Sequence, residues 1–139
     1  MIKKFNHISI AVSNLEKSKK VFEEIFNKKC DMEVDVPDQK VKVAMFDIGG
    51  VLFEIIQPTD MESSIAQFVD NRGNALHHIA VSVDDIQKTI EEFIAKGYRM
   101  IDQKPRMGAE GHPIAFMHPK SSDGILIEFV EEKEEKKNE

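Results

Sequence analysis

HISIAV, at residues 7–12, recurs in similar form as HIAVSV at residues 78–83, so the chain contains one short, largely apolar motif twice. Each copy is followed by an apolar segment that contains a single glutamate, GVLFEII at residues 50–56 and GILIEFV at residues 124–130. The histidine and the glutamate are 47 residues apart in the first half and 50 in the second. Self-similarity at one long spacing predicts a duplicated structural unit.

The composition excludes several classes of protein. With 139 residues, of which 41% are hydrophobic and 32% charged, the chain has the size and balance of one globular domain. A net charge of −6 argues against nucleic-acid binding, and no apolar run approaches the roughly 20 residues that span a membrane. We therefore expect neither nucleic acid nor a membrane as a partner. One cysteine, Cys30, and a start that lacks the apolar region of a signal peptide favour a cytoplasmic location.

The first strand and helix can be predicted from periodicity. Residues 5–12 alternate as a half-buried strand does, which puts Ile8 on an apolar face and His7 on the opposite face with small residues. Ser13 and Glu16 have the spacing of a capping box, and apolar residues then recur at three- and four-residue steps. We expect a helix at about 14–27 that covers the apolar face of the strand.

The remaining pattern predicts two βαβββ modules. The predicted strands of the first module continue near 30–36, 40–48 and 51–57, and a connecting helix follows at 60–73 with Asp60 as a possible cap. The second module has predicted strands near 76–83, 98–102, 113–118 and 124–130, with a helix after Asp84 or Asp85 that is closed by Gly97. We expect an α+β fold in which two tandem βαβββ modules form a metal-containing cleft.

The domain boundaries follow from these elements. Residues 1–131 are expected to form a single domain, with module one at about 4–58, the linker helix at about 60–73 and module two at about 75–131. Residues 132–139 form a charged tail.

Strand parity selects one histidine of the doublet His77-His78. Aligning the repeats matches His78 with His7, whereas His77 falls on the apolar face as a core or supporting residue. Glu54 and Glu128 each lie between apolar neighbours, where an ionised carboxylate needs a cation or a partner. Imidazole and carboxylate donors suit divalent metals, so we predict a shared metal site at His7, Glu54, His78 and Glu128.

Other polar residues give weaker signals. His112 and His118 lie outside the repeat and are expected to be an exposed loop residue and the end of a strand. Lys104, Arg106 and Lys120 lie in loops near the cleft end of the second module, where they could meet phosphates or a carboxylate.

Paired βαβββ units with His7, Glu54, His78 and Glu128 at these positions resemble the vicinal-oxygen-chelate superfamily over residues 4–131. The segments VPDQKVKVA at 36–44, ALHHIAV at 75–81, and FMHPKS at 116–121 followed by GILIE at 124–128 resemble the methylmalonyl-CoA epimerase family. The resemblance implies an acyl-CoA substrate, a homodimer and a divalent metal, with Co²⁺ favoured and Zn²⁺, Ni²⁺ or Mn²⁺ as alternatives. The repeat makes Glu54 and Glu128 the candidate catalytic residues, and Lys120, Ser121 and Arg106 are candidate substrate contacts from their loop positions.

One position departs from that family. Some epimerases have a catalytic glutamate where Val43 stands, and a valine cannot transfer a proton. We therefore expect Glu54 and Glu128 to act on opposite faces of C2 of the methylmalonyl group, the carbon that an epimerase inverts. One glutamate would be the base and the other the acid.

Three other functions remain alternatives. The four ligands are also those of glyoxalase I, which acts on a glutathione hemithioacetal. A ring-cleaving dioxygenase is less favoured, because that chemistry uses two histidines and one carboxylate with iron. A non-catalytic protein that binds an antibiotic on the same scaffold is the alternative of a different class.

Overall fold

The computed structural model describes residues 1–108 and 110–133. Contacts divide the chain into two units. The N-terminal unit is His7–His77, and the C-terminal unit is Met1–Asn6 together with the described residues from His78 onward. The predicted charged tail lies outside the described residues from position 134 onward.

The helices and strands follow the predicted order closely. In chain order they are β1 (Ile2–Ala11), α1 (Leu15–Phe26), β2 (Met32–Val36), a 3₁₀ turn (Pro37–Gln39), β3 (Val41–Ile48), β4 (Val51–Pro58), α2 (Ser64–Arg72), β5 (Ala75–Val83), α3 (Ile86–Ala95), β6 (Arg106–Met107), β7 (Pro113–Met117) and β8 (Ile127–Glu131). The α+β class predicted from the pattern is confirmed. None of the described helices has the length and apolar character that crossing a membrane requires.

The sheet of the N-terminal unit has the strand order β2-β3-β4-β1. β4 is antiparallel to β3 and parallel to β1. Gly49 and Gly50 join β3 to β4 with φ of +63° and +91°, the left-handed pair that a type I′ hairpin turn requires. This two-residue turn sets the register that places Met45 opposite Glu54.

The two faces of this sheet carry different side chains. Helix α1 packs Leu15 and Phe22 on the face that contains Val12 and Phe46, as the alternation of β1 predicted. The opposite face has its own apolar cluster, formed by Val41, Val43, Met45 and Ile56, against which Ile65 of α2 packs. The polar positions of β1 project on the face that α1 leaves uncovered.

The C-terminal unit repeats the arrangement with the strand order β1-β5-β8-β7-β6. β5 is parallel to β8, and β8 is antiparallel to β7. Ile86 and Ile90 of α3 pack on a face formed by residues such as Val83 and Phe129. The first half of β1 is fixed to this unit by Asn6, whose amide donates a 2.8 Å hydrogen bond to Oε1 of Glu132.

The strand predicted at 98–102 is wrong. Within that segment only Met100 forms a bridge, to Met117, and the strand beside β7 is the two-residue β6 instead. The carboxylate of Asp102 accepts the Phe116 N–H at 2.9 Å, so a side chain takes the place of a backbone partner. Backbone bonds from Ile101 N–H to Phe116 and from His118 N–H to Arg99 flank the bridge, but the ladder does not extend further, because the Phe116 N–H is taken by Asp102.

Two predicted helix starts also shift. Asn14, not Ser13, caps α1 by accepting the Lys17 N–H, and α2 begins after Ser63, which accepts the Ala66 N–H. Asp60 instead accepts the N–H of Glu62 in a turn before that helix. The short polar side chains of this region compete for the same backbone donors, and spacing alone does not rank them.

Candidate active site

His7 and Glu54 lie side by side on one face of the N-terminal unit. Ser9 stands opposite Glu54 in the parallel pairing of β1 with β4, so His7, two residues earlier, projects from the same face. The imidazole Nε2 is 3.4 Å from Oε2 of Glu54, and both side chains are buried. This unit therefore brings an imidazole nitrogen and a carboxylate oxygen together away from water.

His78 and Glu128 form the corresponding pair of the C-terminal unit. Ala80 stands opposite Glu128 in the pairing of β5 with β8, and His78 again lies two residues before that partner. Nε2 of His78 is 3.0 Å from Oε1 of Glu128, and both side chains are buried. The sequence repeat is therefore also a repeat of strand register and of side-chain pairing.

The neighbours of the two pairs differ. The fully buried Ser9 donates a 2.6 Å hydrogen bond to Oε2 of Glu54, the oxygen that also faces His7. Phe116, opposite Glu128 on β7, instead presents its ring edge-to-face to His78 with the ring centroids 5.6 Å apart. Glu54 therefore has the hydroxyl of Ser9 beside it, whereas Glu128 has the aromatic residue Phe116 opposite it on the neighbouring strand.

The donor set of each pair is suited to a divalent cation. An ionised carboxylate loses much of its hydration on burial, and a bound cation or a charged partner offsets that cost. Neutral imidazole and carboxylate are ligands for zinc, cobalt, nickel and manganese. Each unit offers one ligand of each kind from rigid strands, which fixes their direction better than a loop would.

The histidines outside these pairs have structural contacts. His77 lies edge-to-face against Phe68 of α2 with the ring centroids 4.9 Å apart. Nδ1 of His118 accepts the Lys120 N–H at 3.0 Å, so this histidine closes the turn after β7. His112 is exposed, and its carbonyl accepts the Gly108 N–H.

Arg106 lies beside the aromatic ring that contacts His78. Its guanidinium carbon is 5.2 Å from the centroid of the Phe116 ring, and its Nε is 3.3 Å from Oδ1 of Asp102. Asp102 also accepts the Phe116 N–H, so one carboxylate orients both the strand and the arginine. Sequence reasoning identified Arg106 and missed Asp102, because a side-chain contact in a non-helical segment has no periodic signal.

Lys120 and Ser121 belong to the turn that follows β7. The hydroxyl oxygen of Ser121 accepts the Arg99 N–H at 2.8 Å, and Lys120 is exposed. Lys104 is exposed in the loop before β6. Ser121 therefore ties this turn to the segment after α3, whereas Arg106 contacts a ring that packs on His78.

Val43 lies on the same sheet face as Glu54. It stands opposite Ile56 in the pairing of β3 with β4, and it packs in the apolar cluster with Val41 and Met45. This position of the face supplies an aliphatic wall and no group that can accept a proton.

Comparison with known proteins agrees with this duplicated architecture. The model of the glyoxalase/bleomycin resistance protein/dioxygenase superfamily matches residues 6–116, so the chain belongs to this superfamily.

Within the superfamily the chain is similar to methylmalonyl-CoA epimerases. The mitochondrial methylmalonyl-CoA epimerase of Dictyostelium discoideum is 34% identical over 94% of this chain and 79% of that protein. The crystal structure of methylmalonyl-CoA epimerase from Mycobacterium tuberculosis superposes with a TM-score of 0.86 at 27% identity, covering 96% of this chain and 90% of that one.

A Streptomyces coelicolor methylmalonyl-CoA epimerase in complex with 2-nitronate-propionyl-CoA superposes with a TM-score of 0.84 at 26% identity. The superposition covers 94% of this chain and 95% of that one. Lactoylglutathione lyase from Arabidopsis thaliana is more distant, at 23% identity over 93% of this chain and 44% of that protein.

Proposed function

We propose that the chain is an isomerase that interconverts the (2R) and (2S) forms of methylmalonyl-CoA. The observation that carries the proposal is the buried His–Glu pair, present at one strand register in both units. The higher identity to an epimerase, 34% against 23% for the lyase, supports this substrate over the hemithioacetal of the more distant lyase. An acyl-CoA thioester is accordingly the proposed small-molecule partner.

The proposed metal ligands are His7, Glu54, His78 and Glu128. Two neutral imidazoles and two carboxylates fit Co²⁺, which we favour, and also Zn²⁺, Ni²⁺ or Mn²⁺. A divalent ion held by these residues would act as a Lewis acid for the negative charge that develops on the thioester oxygen.

The reaction itself requires a base and an acid on opposite sides of one carbon. The C2 proton of methylmalonyl-CoA lies between a thioester carbonyl and a carboxylate, so its removal leaves an enolate. Inversion follows when a proton returns to the other face. We propose that Glu54 and Glu128, one from each repeat, perform these two transfers. Val43 leaves the role of a second base to these glutamates, because its aliphatic side chain cannot hold a proton.

The proposed substrate contacts are Arg106, Lys120 and Ser121. Arg106 is the best supported, because it stacks on Phe116 and its charge lies near the His78 pair. A guanidinium that is oriented by Asp102 can bind a carboxylate or a phosphate through two parallel hydrogen bonds. Lys120, exposed in the turn after β7, would add a point charge for a phosphate.

We further propose that the enzyme is a homodimer in the cytoplasm. The resemblance to other proteins of this scaffold supports the homodimer. The single cysteine of the chain is consistent with a reducing compartment such as the cytoplasm.

The central test is hydrogen exchange at C2. On incubation with methylmalonyl-CoA in heavy water, we expect deuterium at C2 and interconversion of both epimers, because the abstracted proton exchanges with solvent before one returns. Mass spectrometry and chiral analysis measure the two results. A parallel reaction contains glutathione and methylglyoxal. Turnover in that reaction alone would assign the protein to glyoxalase chemistry instead.

The two-glutamate scheme predicts equal need for both carboxylates. Glu54→Gln and Glu128→Gln should each lower kcat by about 10²–10⁴, the usual contribution of a positioned acid or base. Glu132→Gln is the control, because Glu132 is a half-buried carboxylate that bonds to Asn6 and Ser82. Steady-state kinetics of the three variants decide the matter. Full epimerase activity and metal content in Glu54→Gln would exclude this scheme.

Strand parity predicts which histidine binds the metal. His78→Ala should weaken Co²⁺ binding at least tenfold, because an imidazole ligand is lost, whereas His77→Ala should leave the affinity unchanged, since its ring packs on Phe68. Calorimetric titration of metal-free protein measures both. If the wild-type protein binds no divalent metal, the antibiotic-binding alternative is favoured.

The role of Arg106 predicts a change in KM. Loss of a charged hydrogen bond costs about 1.5–3 kcal/mol, so Arg106→Ala should raise the KM for methylmalonyl-CoA about 10- to 100-fold. Arg99→Ala removes the same charge from an exposed position, and its KM should stay near that of the wild type. If KM rises equally in the two variants, Arg106 acts only through net charge.

A further inference from the structure

We propose that Ser9 is a positioning residue that holds Glu54 in the orientation required for metal binding. The inference rests on the proposed function, because it takes Glu54 to be a metal ligand. It concerns a hydroxyl group that lies outside the four ligands and has no counterpart in the other repeat.

The contact is short and buried, and it is made to the carboxylate oxygen of Glu54 that faces His7. The hydroxyl of Ser9 donates to Oε2 of Glu54 at 2.6 Å, within the range of a charge-assisted hydrogen bond between a hydroxyl and a carboxylate. Ser9 is fully buried, so water does not compete for this donor. Nε2 of His7 is 3.4 Å from the same oxygen, so Oε2 is held between two strand residues.

The strand register makes this geometry rigid. Ser9 and Glu54 are directly opposite each other in the parallel ladder of β1 and β4. Their Cα positions are therefore set by the sheet, and only the side-chain torsions of Glu54 remain to be fixed. A hydroxyl bonded to one carboxylate oxygen restricts the last of those torsions and leaves the other oxygen for a cation.

The C-terminal unit has no hydroxyl at the position that corresponds to Ser9. Ala80 occupies the position that corresponds to Ser9, directly opposite Glu128, and a methyl group cannot donate a hydrogen bond. The buried serine of that strand, Ser82, donates instead to Oε2 of Glu132 at 2.9 Å. The two repeats are therefore similar in their proposed ligands and different in the residue directly opposite the glutamate, Ser9 in one and Ala80 in the other.

The experiment compares two buried serines, each of which donates to a carboxylate. Metal-free wild-type protein, Ser9→Ala and Ser82→Ala are titrated with Co²⁺ by calorimetry, and folding is checked by circular dichroism. Removing a group that orients a metal ligand lowers metal affinity about 10- to 100-fold, so we expect that loss in Ser9→Ala. Ser82→Ala loses an equally buried hydroxyl next to Glu132, a carboxylate outside the proposed ligand set, and its affinity should stay within about threefold of the wild type.

A second variant separates the hydroxyl from packing. Ser9→Thr keeps the hydroxyl on a residue that strands favour, and it should restore Co²⁺ affinity to within a few-fold of the wild type. Wild-type affinity in Ser9→Ala, or an equal loss in Ser9→Ala and Ser82→Ala, would overturn the role of Ser9 while leaving the metal proposal intact. If the wild-type protein itself binds no Co²⁺, the metal proposal fails and this inference fails with it.

Discussion

Burial of a carboxylate beside an imidazole, at one strand register in each unit, is the constraint on which the rest of the structure depends. Glu54 and Glu128 lie between apolar neighbours, and both side chains are nearly excluded from water. A group of this kind is stable only when its surroundings supply hydrogen-bond donors or a cation. The parallel pairings of β1 with β4 and of β5 with β8 put a histidine beside each glutamate, because in each pairing the histidine lies two residues before the partner of the glutamate.

The separation of the two sheet faces makes that arrangement possible. In each unit a helix covers one face with apolar side chains, and the core clusters around Phe46 and Phe129 form there. The histidines and glutamates lie on the opposite parity of the same strands. The face under the helix provides most of the apolar burial of each unit. The other face can therefore carry polar side chains that do not contribute to the apolar core.

Much of this could be read from alternation, and the failures have physical causes. The parity of β1 and β5 distinguished His78 from His77, since a two-residue period leaves no ambiguity in strands of ten and nine residues. The repeat predicts a strand at 98–102 as part of the second βαβββ module. The side chain of Asp102 bonds to the backbone of Phe116, however, and such a side-chain bond has no periodic signature. For the same reason the contact from Ser9 to Glu54 was not anticipated, although the parity of Ser9 was correct.

The duplication also explains why an aliphatic residue can stand at position 43. Val43 on β3 stands opposite Ile56 on β4. The corresponding pair of the C-terminal unit is Ile114 on β7 and Val130 on β8. Both units therefore place aliphatic side chains at this point of the site face. A general base must lie within hydrogen-bond reach of the proton that it removes, and in each unit the glutamate is the carboxylate that the register aligns with the histidine. The acid and base chemistry that we propose therefore depends on the repeat itself, because one unit supplies one such carboxylate and epimerisation requires two.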